Sequence, residues 1–428
     1  MSRVSAPVAI PTLPALDSSL ALLSDGYMFG TRRFLRVGTD AFHTRLMLRA
    51  VTVVRGSDAA RTFYDGNRFT RNGALPVSVL HLLQDEGSVQ TLDDESHRRR
   101  KMLFVHMLAE PGEMRRVRDL LSEEWFSAIA GWSSPVNLHE EMHVILTRVA
   151  LRWLGIDSRQ TDVPTLAGEL SAMIENAGRF GVPNWVARVR RLHTETWARE
   201  TVRRVRRGEL AAPAHSPLMQ LVTHADENDA LGDADAATEL LNLLRPIVAV
   251  GRFIVFSALA LHRNPRWKHA FSTDDGAGAA DVENFVNEVR RFYPFFPLVG
   301  GRALHAFTWR DHDFLPGDWV MLDLYGTNHD ESTWSAAGRF LPERFRTWNG
   351  DPNSLVPQGG GSDLSQSHRC PGERLTIELM CEAVILLARG TRYDVPDQDL
   401  RVSLRRIPAL PESGFVIARA APSGLVPH

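Results

Sequence analysis

Apolar positions divide the chain unevenly. From about residue 58 to 210 most segments repeat them at the spacing of one helix face, with breaks at Pro76, Pro111, Pro135 and Pro183. Residues 45–54 (RLMLRAVTVV) are β-branched and alternate weakly, which predicts a strand pair near the N-terminus. The longest predicted helix covers 234–263. It opens with acidic residues, suited to the positive end of the helix dipole, and stops before Asn264-Pro265. Its second half is apolar almost all round, so it should run through the core. A shorter helix at 281–292 is stopped by Pro294. Strand-like pieces follow at 302–309 and 319–324, then a Gly-rich loop at 358–362, a helix over about 371–389, and short strands and turns after 392. The predicted class is mainly α with small β-sheets at the margin (α+β). No linker divides residues 1–428, so a single domain is expected.

Composition changes this picture little. Of 428 residues 44% are hydrophobic and 23% charged, and the net charge of −2 argues against a nucleic-acid footprint over the whole chain. The Arg-rich run 188–207 interleaves Glu195 and Glu200 around a helix and reads as a solvated face. The most apolar stretch, Pro246–Leu261, is interrupted by Arg252 and is shorter than the roughly 20 residues a bilayer span needs. Residues 7–16 carry three prolines and lack the basic start of a signal peptide. Two cysteines cannot make a disulfide framework and suit a reducing compartment. A cytoplasmic protein with neither membrane nor nucleic acid as partner is expected.

The most informative run is Pro357-Gln-Gly-Gly-Gly-Ser-Asp-Leu-Ser-Gln-Ser-His-Arg-Cys-Pro-Gly-Glu373. Pro371 fits a first helical turn, which would put Cys370 at the N-cap. The dipole there, with His368 and Arg369 alongside, should lower the thiol pKa. The glycines allow close backbone approach to something flat or charged. Cys381 lies among Leu379, Met380 and Val384 and reads as an inert core cysteine. For Cys370 four roles stand open: a structural residue, a zinc ligand (although no C-x-x-C spacing accompanies it), a nucleophile, and an axial thiolate on haem iron.

Four ordered motifs resemble those of the haem-thiolate cytochromes P-450, and specifically the bacterial fatty-acid peroxygenase branch. Glu288-Val-Arg-Arg291 is similar to the family's E-x-x-R pair. Pro342-Glu-Arg-Phe345 is similar to the segment that adds Arg344 to that pair in a buried charge network. His97 and Lys101 have the i, i+4 spacing of the propionate-binding helix, and HRCPGE at 368–373 resembles the branch's cysteine loop. The wider superfamily has a Phe and a shorter loop where this chain has QGGG; that departure also belongs to the branch. The resemblance implies the P-450 fold with a long central helix over the haem. It also implies haem b (iron protoporphyrin IX), Cys370 as the iron's axial ligand, and cofactor contacts from His97, Lys101 and His368.

Monooxygenases of this superfamily carry a carboxylate and a threonine in the central helix. Leu244-Arg-Pro-Ile-Val-Ala-Val-Gly251 has neither. Pro246 removes a helix hydrogen bond and should kink the helix. Arg245 beside it would be a cation in apolar surroundings, needing either an internal carboxylate or one carried by the substrate. Arg-Pro resembles the branch's substrate anchor, which favours the second. Arg252 reads as a structural ion pair. Gln90, in Ser88-Val-Gln-Thr-Leu-Asp-Asp94, resembles the distal-loop position where alkene-forming members carry histidine and hydroxylating members glutamine; tethering the loop is the plain alternative. The resemblance implies hydroxylation of long-chain fatty acids at the α or β carbon with hydrogen peroxide and no obligatory redox partner. Arg245, Pro246 and Gln90 would then be the residues at the chemistry. A reductase-dependent monooxygenase, a decarboxylase giving terminal alkenes, a non-catalytic haem sensor and a cysteine hydrolase are the rivals.

Overall fold

The computed structural model describes residues 9–83, 87–109, 111–133, 135–179, 181–226, 229–273 and 278–424. Several of its prolines open helices. Pro111 begins Pro111–Gly131, and Pro183, Pro217 and Pro265 sit in the first turns of Val182–Arg206, Pro217–Thr223 and Pro265–Ser272. In a first turn the missing N–H costs nothing and the fixed φ is already helical. The breaks read from the sequence are therefore mainly helix starts.

The central helix, Asp233–Arg263, begins one residue before the expected position. It is long and apolar enough to cross a membrane, and 89% of its most apolar window is buried inside the protein. It packs against helices Leu138–Leu154, Val163–Asn176, Val182–Arg206 and Glu373–Ile385, within the largest hydrophobic core. The helix continues without a break through Pro246.

A five-stranded sheet lies beside this bundle. Ala41–Leu46 pairs antiparallel with Arg49–Val54, which runs parallel to Trp319–Asp323; that strand pairs antiparallel with Leu298–Ala303, and Phe69–Thr70 closes the edge. The hairpin begins four residues before the predicted 45–54. Its turn uses Met47 and Leu48 at φ 51° and 62°, a conformation usually left to Gly or Asn. Their N–H groups donate to Ser19 Oγ at 2.7 Å and Asp17 Oδ2 at 2.6 Å, contacts that no local pattern announces. The predicted strand 302–309 is in fact two, Leu298–Ala303 and Phe307–Trp309, separated by a bend. The expected helix 371–389 is Glu373–Ile385, closed by a π turn at Leu386–Gly390.

Glu288, on the helix Ala279–Phe292, forms the charge network that its spacing suggested. Arg291 grips it through two bonds of 2.7 and 2.8 Å, with both side chains fully buried. Arg344 reaches the same carboxylate at 3.2 Å, and the Leu341 N–H donates to it at 2.7 Å. Remaining guanidinium protons go to the carbonyls of Asn328, Ala337 and Arg339. Removing the anion alone would strand two cations in the interior. Glu288→Gln is therefore expected to lower unfolding free energy by about 3–5 kcal/mol, measured by urea denaturation; a loss below about 1 kcal/mol would contradict the buried-network account.

Candidate active site

The helix Asp94–Ala109 spans the space between the cysteine loop and the central helix. Residues 97 and 101 share one of its faces and residue 100 lies beside them. On the loop side, the His97 ring lies tilted against His368 with centroids 4.2 Å apart. Lys101 Nζ donates to the carbonyls of Ser367 and Arg369, the latter at 2.6 Å. Opposite, Arg100 Nη1 donates to Glu239 of the central helix at 2.9 Å.

Cys370 sits between these groups and a second polar knot. Its N–H donates to Gln358 O at 3.0 Å. Arg290 binds both Glu373 and the Gln358 side chain, and Gln358 Nε2 donates to Thr376 Oγ1 at 2.9 Å. Two expectations are corrected here. The helix proper starts at Glu373 with Gly372 as its cap, so Cys370 precedes the N-cap by two positions. Burial pushes the Cys370 thiol pKa up, against the lowering effect of the Gly372 hydrogen bond, Lys101 and Arg290. A nearby helix end does not by itself make this sulfur a thiolate; a bound metal would. Cys381, pushed up to about 12 by burial, is inert as expected.

The glycines serve the loop itself. Gly359 and Gly361 have φ +94° and +110°, and a Cβ at Gly361 would lie 2.5 Å from Ser367 Cβ. The flat group that the backbone approaches at Gly359 is the Tyr64 ring, whose hydroxyl a Cβ would meet at 3.0 Å.

Arg71, which no local sequence pattern singles out, joins His97, Lys101 and His368. It is buried, donates to Gly300 O at 2.7 Å and lies over the Phe63 ring. Burial and mutual repulsion hold the cluster's pKa values down: His97 to about 4, Lys101 to about 7, His368 well below its ordinary value. Asp93 near Arg71 and Asp363 near Lys101 pull the other way and are outweighed. Near neutral pH the two imidazoles are therefore uncharged, and the buried cations Arg71 and Lys101 beside them would be favoured by an anionic ligand. Haem propionates are two carboxylates, so the cluster fits a haem bound at Cys370.

On the central helix Arg245 is buried, and its Nη2 donates to Asn242 Oδ1 at 2.8 Å and to Leu83 O. Both of these acceptors are neutral oxygens. Pro246, by contrast, is exposed between buried Arg245 and buried Ile247, so this face borders open space. Gln90 lies in the loop before the His97 helix. Its Oε1 is buried and, among the described residues, accepts no hydrogen bond, so it does not tether the loop through that atom. Arg252 makes the structural pair expected of it, to Glu175, and also binds Ala409 O. His139 and His143 converge on the same Glu175 with ligand atoms within 4.8 Å. Against burial, which raises it, the His139 hydrogen bond, the Arg252 charge and the two imidazoles hold the Glu175 pKa down to about 2, and Arg252 and Arg406 already flank that carboxylate. The Arg-rich helix is paired outward, Arg203 and Arg206 to Asp233 and Arg207 to Glu200, except that Arg191 is buried against Glu195.

Lys101→Met keeps the apolar stem and removes the charge and both loop contacts. It is expected to fold and to release haem to apomyoglobin on the order of tenfold faster; an unchanged transfer rate would exclude Lys101 from the cofactor cradle.

Comparison with known proteins agrees with this geometry. The family described as Cytochrome P450 matches residues 281–392, which hold both the Glu288 network and the cysteine loop. Among curated relatives, carotene epsilon-monooxygenase of Arabidopsis thaliana is 27% identical over 136 residues, and cytochrome P450 monooxygenase pytD of Aspergillus terreus is 35% identical over 80. These alignments span 23% and 20% of the relatives' lengths and 28% and 17% of this chain. Solved structures match throughout. Cytochrome P450SP alpha (CYP152B1) is 39% identical over 96% of this chain and all of its own, with a TM-score of 0.91; one such structure holds ibuprofen. Cytochrome P450EX alpha (CYP152N1), solved with myristic acid, is 34% identical over 97% of this chain and all of its own, at 0.92. A variant of cytochrome P450 OleT in complex with arachidonic acid is 32% identical over 98% of this chain and all of its own, at 0.91. The fold, the cysteine loop behind its Arg290 and Glu288 networks, and this end-to-end similarity place the chain in the cytochrome P-450 superfamily, within the CYP152 branch, whose cofactor is a cysteine-ligated haem.

Proposed function

We propose that the protein hydroxylates long-chain fatty acids at the α or β carbon with hydrogen peroxide as oxidant, using haem b, and with residues 1–428 acting as one catalytic unit. The observation that carries this reading is Arg245: a buried guanidinium beside accessible Pro246, in a stretch, residues 244–251, that holds neither carboxylate nor threonine. The fatty acids held by CYP152N1 and OleT support the substrate class.

When bound through Cys370, the haem supplies the chemistry that inserts a peroxide oxygen into a C–H bond. His97, Lys101, His368 and Arg71 would hold its propionates. Arg245 takes the substrate carboxylate through paired hydrogen bonds, which brings Cα and Cβ to the reacting position and leaves the alkyl chain to apolar walls. Pro246 has no N–H, which leaves the Asn242 carbonyl without its helical donor beside the anchor. Anchored there, the substrate's own carboxylate can take and return the proton of the peroxide, the task for which the stretch 244–251 offers no side chain. Gln90 presents an amide that hydrogen-bonds but does not titrate, so it offers no route for a second oxidation to the alkene. No electron-transfer partner is needed, because peroxide brings both oxygen and oxidising equivalents.

Arg245→Ala is expected to weaken fatty-acid binding roughly 100-fold while the reduced, carbon-monoxide-bound spectrum stays that of a thiolate-ligated haem; full activity on myristate would remove the anchoring role. Gln90→His is expected to raise terminal alkene from a minor to a substantial product, read by gas chromatography. Alkene as the main product of the unaltered protein would instead favour the decarboxylase reading.

A further inference from the structure

Fully buried Glu239 sits six residues before Arg245 on the central helix. Its Oε1 accepts from the Val89 N–H at 2.8 Å and from Arg100 Nη1 at 2.9 Å. Its Oε2 accepts from Asn242 Nδ2 at 2.8 Å, and Asn242 Oδ1 accepts from Arg245 Nη2 at 2.8 Å. We propose that Glu239 is a positioning residue that sets, through Asn242, the direction of the Arg245 guanidinium and, through Val89, the place of the loop carrying Gln90. The proposal rests on the reading of Arg245 as the carboxylate anchor.

The polarity of the chain of bonds makes it directional. An ionised carboxylate only accepts and a guanidinium only donates, so Asn242 between them has one satisfactory orientation. Its amide nitrogen must face Glu239 and its oxygen Arg245. Asn242 also keeps the two charges apart: Glu239 fixes where the guanidinium points without itself forming the salt bridge. Val89 immediately precedes Gln90, so the same carboxylate that orients the anchor also pins the distal loop. Arg100 brings in the helix whose neighbouring Lys101 braces the cysteine loop. One buried anion thereby fixes the anchor, the loop above the reacting carbon and the helix beside the cofactor relative to one another. Regiochemistry depends on that relation, since α and β carbons differ by one bond length along a chain held at its carboxylate.

The test uses the holoenzyme. Glu239→Gln keeps the volume and an acceptor for Val89, but sets an amide nitrogen against Asn242 Nδ2 and reverses the Asn242 amide. We expect the dissociation constant for myristate to rise roughly tenfold and the α:β product ratio to shift at least about twofold, with haem content and the carbon-monoxide spectrum unchanged. Asn242→Ala, which leaves Val89 and Arg100 bound to Glu239, should reproduce the affinity loss and decides the question if Glu239→Gln does not fold. In Glu239→Gln/Asn242→Asp the order of donors and acceptors is restored but a carboxylate now touches Arg245; fold stability should recover while myristate affinity falls below that of either single variant. Unchanged affinity and product ratio in both single variants would overturn the proposal. Wild-type protein that binds myristate yet makes no product with peroxide would fail the functional reading instead, and the affinity measurements would still decide the role of Glu239.

Discussion

The structure is organised by the need to bury charge along one helix. Asp233–Arg263 runs through the core, and Glu239, Arg245 and Arg252 on it are all buried. An ion in such surroundings is tolerated only with partners in good geometry. Each of the three draws a different segment against the helix. Glu239 takes Val89 and Arg100, Arg245 takes the carbonyl of Leu83, and Arg252 takes Glu175 and the carbonyl of Ala409. The polar side chains that look costly in an apolar helix are what fix its neighbours in place.

The cysteine loop is held by a parallel device on the helix Ala279–Phe292. Consecutive arginines there divide the work. Arg291 belongs to Glu288 and the carbonyls behind it, whereas Arg290 reaches Glu373 and Gln358 on either side of Cys370. From the opposite side Lys101 holds the carbonyls of Ser367 and Arg369. Cys370 is thus fixed by contacts from two helices, which suits a ligand whose sulfur must meet a metal at one angle. Its thiol pKa is raised by desolvation of the sulfur in this setting.

Much of this was legible in the sequence, and the failures share a cause. The central helix is legible at both ends because its acidic N-terminus, its periodicity and the stop at Asn264-Pro265 all act locally. The Glu288–Arg291 pair was legible because i, i+3 spacing brings the two together on any helix. Arg71, Arg290 and Glu239 went unnoticed because their partners lie far off in the chain, as Gly300, Glu373 and Val89 do. The polar positions 239, 242 and 245, three apart on an apolar helix, were the available signal for the last. The sign of the thiol shift is not legible in the sequence, because a helix dipole can be inferred from it whereas desolvation cannot.

On the proposed mechanism substrate and peroxide suffice, with Arg245 supplying the anchor and the fatty acid its own acid–base group. Isotope tracing tests this most directly. The purified holoenzyme, given myristate and hydrogen peroxide labelled with oxygen-18 in the absence of any nicotinamide cofactor or ferredoxin, should place one labelled atom in the hydroxyl of the hydroxymyristate. Product that carries oxygen from labelled dioxygen, and forms only when a reductase chain is added, would contradict it.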